Sequence, residues 1–416
     1  MPAISQSSGY DLVVIGGGAA GFFGAIQAAE MRNDLNIVII EKSQQLLSKV
    51  KVSGGGRCNV THHAFSPAAL SSHYPRGQKA LKKLFHHFNA KDTVAWFAQH
   101  GVVLKTEEDG RMFPETDNSQ TIIDCFLQHA AKNQIEIRTR AEAVGITSAR
   151  NGWLVETNKD VIHTQCVLLT TGGYHKAEGY HWLTRLGLQI VKPIPSLFTF
   201  NDPTKSFANL MGVSVPMAEV KIAGSRFATR GAVLVTHWGL SGPAVIRLSA
   251  WAAEHLYKLN YGFTALVNWS GEPEEAARSI CMGLKEDGSQ KRIMANPLFG
   301  LPKRLWEHLC QRAGVAEAHA WADVSNKIIN RLIEMVCACP FPIKGKTTFK
   351  EEFVTCGGID LEEIDLTTMQ LKKMPGIYAA GEVLHVDGET GGFNFQAAWT
   401  TAWVAANGIA KSFGAE

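Results

Sequence analysis

The chain of 416 residues has no uninterrupted apolar run of about 18 residues, so no membrane-crossing helix is expected. Its opening stretch, MPAISQSSGYDLVVIGGG, has neither the basic n-region nor the apolar h-region of a secretion signal, and a cytoplasmic protein is expected. A strong charge of either sign is missing too. Lys and Arg number 41 against 38 Asp and Glu, for a net charge of +3. With no block of five or six basic residues, neither a nucleic-acid partner nor a membrane surface is expected. Paired cysteines are also absent. The eight cysteines stand at 58, 125, 166, 281, 310, 337, 339 and 356 without any Cys-x-x-Cys. Zinc ribbons and thioredoxin-like motifs are therefore excluded, and free thiols in a reducing compartment are the simplest account. There is no internal repeat, and no signal for an oligomeric state.

Hydrophobic residues make up 45% and charged residues 19%, the composition of an ordinary globular protein, and the length suits two or three domains. Residues 11–15 (DLVVI) form an apolar run bounded by glycine, the pattern of a strand buried on both faces of a parallel sheet. A glycine turn at 16–21 and a helix ending near 32–33 follow, then a second strand at 36–41 (NIVIIE). The unit spans about thirty residues, the size of a βαβ crossover.

Gly16, Gly18 and Gly21 match the G-x-G-x-x-G dinucleotide fingerprint, with Ala19 and Ala20 inside it. Gly16 permits the tight turn, Gly18 lets a pyrophosphate approach the backbone, and Gly21 lets the helix pack against the sheet. Free N–H groups and the positive dipole end of the helix favour the phosphates. Glu41 ends the second strand twenty residues beyond Gly21. An acid there accepts hydrogen bonds from a ribose diol and repels a 2′-phosphate, which fits the AMP half of FAD or NAD rather than NADP.

Three segments favour FAD. Ser53-Gly54-Gly55-Gly56-Arg57-Cys58-Asn59 is a small-residue loop with one cation, suited to a pyrophosphate, a ribityl chain or a flavin edge. A late strand at 376–383 (GIYAAGEV) carries Gly381 and Glu382. Thr390-Gly391-Gly392-Phe393-Asn394-Phe395-Gln396 precedes a final alanine-rich helix at 395–413, whose N-terminal dipole suits the flavin N1–C2=O edge. Thr171 and Gly172 lie in a further glycine turn, after a strand at 166–170.

The motifs VIGGGAAG (14–21), KVSGGGRCNVTH (51–62), THWGLSGPAV (236–245), TCGGI (355–359) and YAAGEVLHVDGETGGFNFQAAW (378–399) resemble the BaiN-like flavoprotein family. That family includes proteins described as aminoacetone oxidases and others proposed as bile-acid dehydro-reductases. The resemblance implies an α/β fold: a Rossmann-like, glutathione-reductase-type FAD domain from residues 1–195 and 346–416. A β-rich inserted domain (196–270, completed by part of 337–350) and a helical one (271–336) are implied between them. Implied FAD contacts fall on Ala20, Glu41, Lys42, Arg57, Cys58, Asn59, Val144, Gly172, Gly381, Glu382, Asn394 and Phe395, with Val144 meeting the adenine. The sequence departs from the family pattern in His385, where an aspartate is expected. A glycine is missing from Ala-Trp-Thr-Thr-Ala-Trp (398–403), and Leu188 follows Gly187 in place of a histidine.

The expected activity is an FAD-dependent oxidoreductase on a small organic substrate, the flavin carrying hydride or oxygen chemistry. NADH or NADPH is a possible transient donor, although no second complete fingerprint for it is present. His385 and His237 are the candidate acid–base groups. Arg57 next to Cys58 raises the question of a thiol with lowered pKa. A non-catalytic flavin sensor, an RNA-associated factor and an NAD-only dehydrogenase are the competing readings. Leu301, Leu305, Trp306, Leu309 and Trp321 read as a packed core stripe.

Overall fold

The first strand, Tyr10–Ile15, has nearly every side chain buried, and so does the second, Ile37–Glu41. Only the centre of a parallel sheet covered on both faces satisfies such runs. The computed structural model, which describes residues 9–347 and 354–414, places them there. Five parallel strands lie in the order Ile377–Ala379, Val161–Leu169, Tyr10–Ile15, Ile37–Glu41, Glu136–Thr139. Strands Ala143–Ala149 and Gly152–Thr157 form an antiparallel meander that runs into Val161–Leu169.

Two helices pack on each other and on the sheet. Helix Ala19–Met31 follows the fingerprint turn, and helix Phe393–Ser412 closes the chain and packs against it. Phe23, Trp96 and Trp399 interlock beneath them, Phe23 lying 4.5 Å from Trp96 and 5.5 Å from Trp399 between ring centres. Two expected elements differ in detail. The strand expected at 376–383 stops at Ala379, because Gly381 takes a φ of +79° and a short 3₁₀ turn follows. The Ser-Gly-Gly-Gly segment is the end of a helical stretch, Ser48–Gly56, that kinks at Ser53–Gly55.

The chain divides into two units, Met1–Ser196 with Lys350–Glu416, and Leu197–Phe349. Within the second unit, all strand pairs of a seven-stranded sheet are antiparallel. Strand Cys339–Lys344 adds to its edge beside Gly262–Asn268. Helices Glu274–Glu286, Lys303–Ala313 and Asn326–Cys337 share one apolar core with that sheet, so the β-rich and helical insertions form a single unit. Leu301, Leu305, Trp306, Leu309 and Trp321 all lie in this core, and Trp306 Nε1 donates to the Ile293 carbonyl at 2.8 Å.

Candidate cofactor site

The fingerprint turn is built by close contact. A Cβ on Gly16 (φ +117°) would lie 2.4 Å from the Thr170 carbonyl oxygen, and one on Gly21 would lie 2.0 Å from the Gly16 carbonyl oxygen. A side chain at Gly16 would push the turn off the end of strand Val161–Leu169, and one at Gly21 would push the helix off the turn. In front of Gly18 the opposite holds: an added Cβ meets nothing within 4 Å. Gly18 caps helix Ala19–Met31 with no side chain satisfying its first N–H groups. The helix N-terminus thus opens on free space, as a pyrophosphate requires.

Beside it lies a cleft of about 250 Å³ lined by Gly16, Glu41, Lys42, Val144 and Thr171 together with Tyr174, Trp182 and Arg185. That volume falls just below the ~300–1,000 Å³ of whole-ligand pockets and suits one nucleoside. Five residues chosen from the sequence therefore converge on one cleft. Glu41 is held in place by two backbone donors, Gly17 N–H to Oε2 at 2.9 Å and Ser43 N–H to Oε1 at 2.8 Å. Each oxygen keeps a lone pair for a ribose hydroxyl. Lys42 lies over the Tyr174 ring at 5.3 Å. Sequence reasoning missed Tyr174, Trp182 and Arg185. Their only signal was the run GYHKAEGYHWLTR directly after Thr171 and Gly172.

The other end of the site gathers the loop around Asn59, the Gly381 turn and the start of the last helix. An added Cβ on Gly381 would sit 2.9 Å from the Ala20 Cβ, so this turn rests on the first helix. Its N–H donates to Thr401 Oγ1 at 2.9 Å. Positions 55, 56 and 172 face open space like Gly18. Asn59 is buried, its amide nitrogen facing the Met112 and Thr61 carbonyls and its oxygen accepting the Gly392 N–H at 3.0 Å. The helix cap is thereby tied to the Arg57–Asn59 loop.

Several predicted side chains are committed elsewhere. Arg57 pairs with Glu107 at 2.5 Å and lies 4.0 Å over the Phe113 ring, so its guanidinium already has partners within the protein. Cys58 is fully buried, and burial pushes its thiol up to about 12, against the lowering first entertained from Arg57. Gln396 Oε1 accepts from Thr61 at 2.5 Å and Thr93 at 2.9 Å, and its nitrogen donates to Thr400. Asn394 turns back onto the Gly388 and Glu389 backbone. Glu382 accepts from Thr355 N–H at 2.9 Å and pairs with Lys49. Phe395 stacks on Trp399 at 5.5 Å. Any cofactor contact from these positions therefore comes largely through the backbone.

A group absent from the sequence reading surrounds the start of the last helix. Phe393 stacks on both His73 at 4.1 Å and His62 at 4.8 Å, and the two imidazoles lie 5.8 Å apart. His73 Nδ1 is 3.3 Å from Glu389. His62 Nε2 lies 3.0 Å from the Asp109 carbonyl, while its buried Nδ1 has no hydrogen-bond partner among the described residues. Burial pushes this ring below the usual imidazole range. Nearby, Arg76 forms a buried pair with Asp387, to which Ser196 also donates at 2.8 Å. His385 belongs to this unit and is half-buried, its N–H bonded to the Ile359 carbonyl at 2.8 Å. His237 belongs to the second unit and is exposed beside Trp238.

A nucleoside cleft beside a bare helix N-terminus, on a parallel sheet completed by the C-terminal helix, defines a Rossmann-type FAD-binding flavoprotein. The family described as HI0933-like protein Rossmann domain matches residues 10–408, and the chain belongs to it. The BaiN-like resemblance is borne out, and with it the oxidoreductase class. The chain is 29% identical over 415 residues to "Ribosomal RNA dihydrouridine synthase" of Escherichia coli (strain K12), covering 96% of this chain and 98% of that one. It is 23% identical over 407 residues to "3-dehydro-bile acid delta(4,6)-reductase" of Clostridium scindens, with 96% and 98% covered. Among solved structures, 3-ketosteroid-delta4-(5alpha)-dehydrogenase from Rhodococcus jostii RHA1 has the same fold, with a TM-score of 0.53 at 11% identity over 97% of this chain and 98% of that one. Among the described residues, no helix is long and apolar enough to cross a membrane.

Proposed function

We propose that this flavoprotein is a reductase of a carbon–carbon double bond conjugated to a carbonyl group. The observation that carries the reading is chemical and comes from the relatives' names. Dihydrouridine is uridine with two hydrogens added across a double bond conjugated to a ring carbonyl. A 3-oxo Δ4,6 bile acid presents the same conjugated unit. Both relatives align along nearly all of this chain.

FAD, when bound, supplies the hydride chemistry. The protein's own residues bind and orient. Glu41 holds the adenosine ribose, and the backbone of Gly17 to Ala20 takes the pyrophosphate. Backbone at Asn59, Gly381 and the Gly392 cap borders the flavin end. Reduction of the conjugated bond places hydride on the β carbon and a proton on the α carbon, so a proton donor is needed. We assign it to His385 rather than His237, because His385 sits between the Gly381 turn and the segment leading to Asn394. NADH or NADPH is proposed as the electron source, and the substrate as a small enone.

The name of the relative sharing 29% identity supports a second reading, in which the conjugated unit is a uracil base in RNA. One experiment separates the two. The purified flavoprotein is reduced anaerobically with NADH or NADPH. It is then offered a 3-oxo-4,6-diene steroid, simple enones and unmodified ribosomal RNA, with products read by mass spectrometry. Reoxidation of the flavin with a gain of two hydrogens in a small enone supports the first reading, and dihydrouridine in RNA supports the second. Rapid reoxidation by oxygen alone, with no organic product, would instead identify an oxidase.

A further inference from the structure

Away from the cofactor site, three helices of the first unit end at one place. Glu30 lies in the last turn of helix Ala19–Met31, His100 caps the C-terminus of Ala90–Gln99, and His129 lies in the last turn of Ser119–Lys132. Their ligand atoms all lie within 4.8 Å of one another. Glu30 Oε1 is 2.9 Å from His100 Nε2 and 3.8 Å from His129 Nδ1. Donors sharing an ion at ~2.0–2.2 Å stand roughly 3.0–3.5 Å apart, so small side-chain shifts suffice.

The proton positions sharpen the case. His100 Nδ1 lies 2.7 Å from the Trp96 carbonyl oxygen, which only accepts, so Nδ1 carries the hydrogen. In a neutral ring, Nε2 then points a lone pair at a carboxylate oxygen. Two acceptors at 2.9 Å require a cation between them, either a proton or a metal. A proton there does nothing for His129, whose buried Nδ1 has no hydrogen-bond partner among the described residues. A metal ion serves all three atoms. Donation of the second ring N–H to a backbone carbonyl is also the usual support of a metal-bound histidine. Trp96 stacks on His100 at 3.6 Å and 16°, holding the ring in place.

The electrostatics agree. Three helix C-termini bring their negative dipole ends together, which favours a cation. Lys132 is the opposing like charge.

We propose that Glu30, His100 and His129 form a site for one divalent transition-metal ion of the zinc class, with water completing the coordination. Glu30 lies eleven residues along the helix whose N-terminus faces the pyrophosphate, roughly 17 Å away at ~1.5 Å per residue. The ion therefore clamps three helices together and takes no part in flavin chemistry.

The test uses tag-free, flavin-loaded protein stripped with a chelator. It is titrated with Zn²⁺ by calorimetry and with Co²⁺ by visible absorption, with the melting temperature measured before and after. One equivalent should bind, Co²⁺ should show bands of a nitrogen–oxygen site, and Zn²⁺ should raise the melting temperature. His129→Ala and Glu30→Gln should each weaken binding at least about tenfold and abolish the thermal shift. Unchanged flavin absorbance will report that both variants fold. Absence of stoichiometric binding, or binding that survives both substitutions, overturns the site.

Discussion

Glu41→Gln changes one atom at the adenosine end of the site, and its cost can be worked from the geometry. The carboxylate accepts the Gly17 N–H on one oxygen and the Ser43 N–H on the other. A primary amide has a single oxygen, so one of those N–H groups must face an NH₂. Gly17 is buried and Ser43 exposed, so the cheaper orientation keeps oxygen on Gly17 and leaves Ser43 to water. That costs up to about 1 kcal/mol. The ribose diol also exchanges a charge-assisted acceptor, worth ~1.5–3 kcal/mol, for a neutral one worth ~0.5–1.5 kcal/mol. Only this second loss bears on binding: about 1.3 kcal/mol, or about tenfold in FAD affinity at 1.4 kcal/mol per decade. Apo-protein titrated with FAD and followed by flavin fluorescence gives the affinity, and urea unfolding of the same apo-protein gives the stability. Stability should fall by no more than about 1 kcal/mol. Wild-type FAD affinity in Glu41→Gln would refute the placement of the ribose. A large stability loss would show that the carboxylate serves the turn and not the cofactor.

Gly21→Ala should lose bound flavin and at least about 3 kcal/mol of stability, because its Cβ would meet the Gly16 carbonyl oxygen at 2.0 Å; flavin content and denaturant midpoint read both. Gln396→Leu strands the buried Thr61 hydroxyl, while Thr93 keeps the Asn89 carbonyl at 3.2 Å, and should cost about 1–3 kcal/mol by urea unfolding; Gln396→Glu should not recover it. Cys58 should resist alkylation in the native protein at pH 8, and Cys58→Ser should leave flavin reduction intact; ready labelling would contradict its burial. The same thiol has its folded pKa raised from 9.0 to about 12, so its contribution is complete below pH 9 and is lost as pH rises toward 12. Unfolding free energy should then fall by up to about 1.4 kcal/mol per pH unit in that window from this group, and Cys58→Ala should flatten the slope.

The nucleotide half of the fold was legible because its residues are local in sequence. Glycines 16, 18 and 21 lie between two apolar runs, and Glu41 follows at a fixed spacing, so one βαβ unit of about thirty residues specifies both turn and ribose acid. The late returns at Gly381 and Gly392 were also readable as glycine turns, and both take positive φ, +79° and +87°. Side-chain roles read less well. Arg57 read as the cation of a small-residue loop, but its partner Glu107 lies fifty residues away. Gln396 read as a cofactor contact, and nothing in its sequence neighbourhood announced that Thr61 and Thr93 donate to its oxygen. His73 carried no pattern, and His62 only closed the KVSGGGRCNVTH motif, because it is the return of the last helix that brings both rings onto Phe393.

Hydrophobic period, glycine position and one acid at the right distance are properties of neighbouring residues, and they settled the parallel sheet, the dinucleotide turn and the cofactor class. Which polar atoms remain available to a ligand is a different kind of fact. It depends on partners hundreds of positions apart, as with Arg76 and Asp387 or Thr61 and Gln396. It depends as well on which helix ends meet, as at Glu30, His100 and His129. A buried donor or acceptor must be satisfied by whatever the fold brings beside it, so only the folded chain decides which groups are already taken.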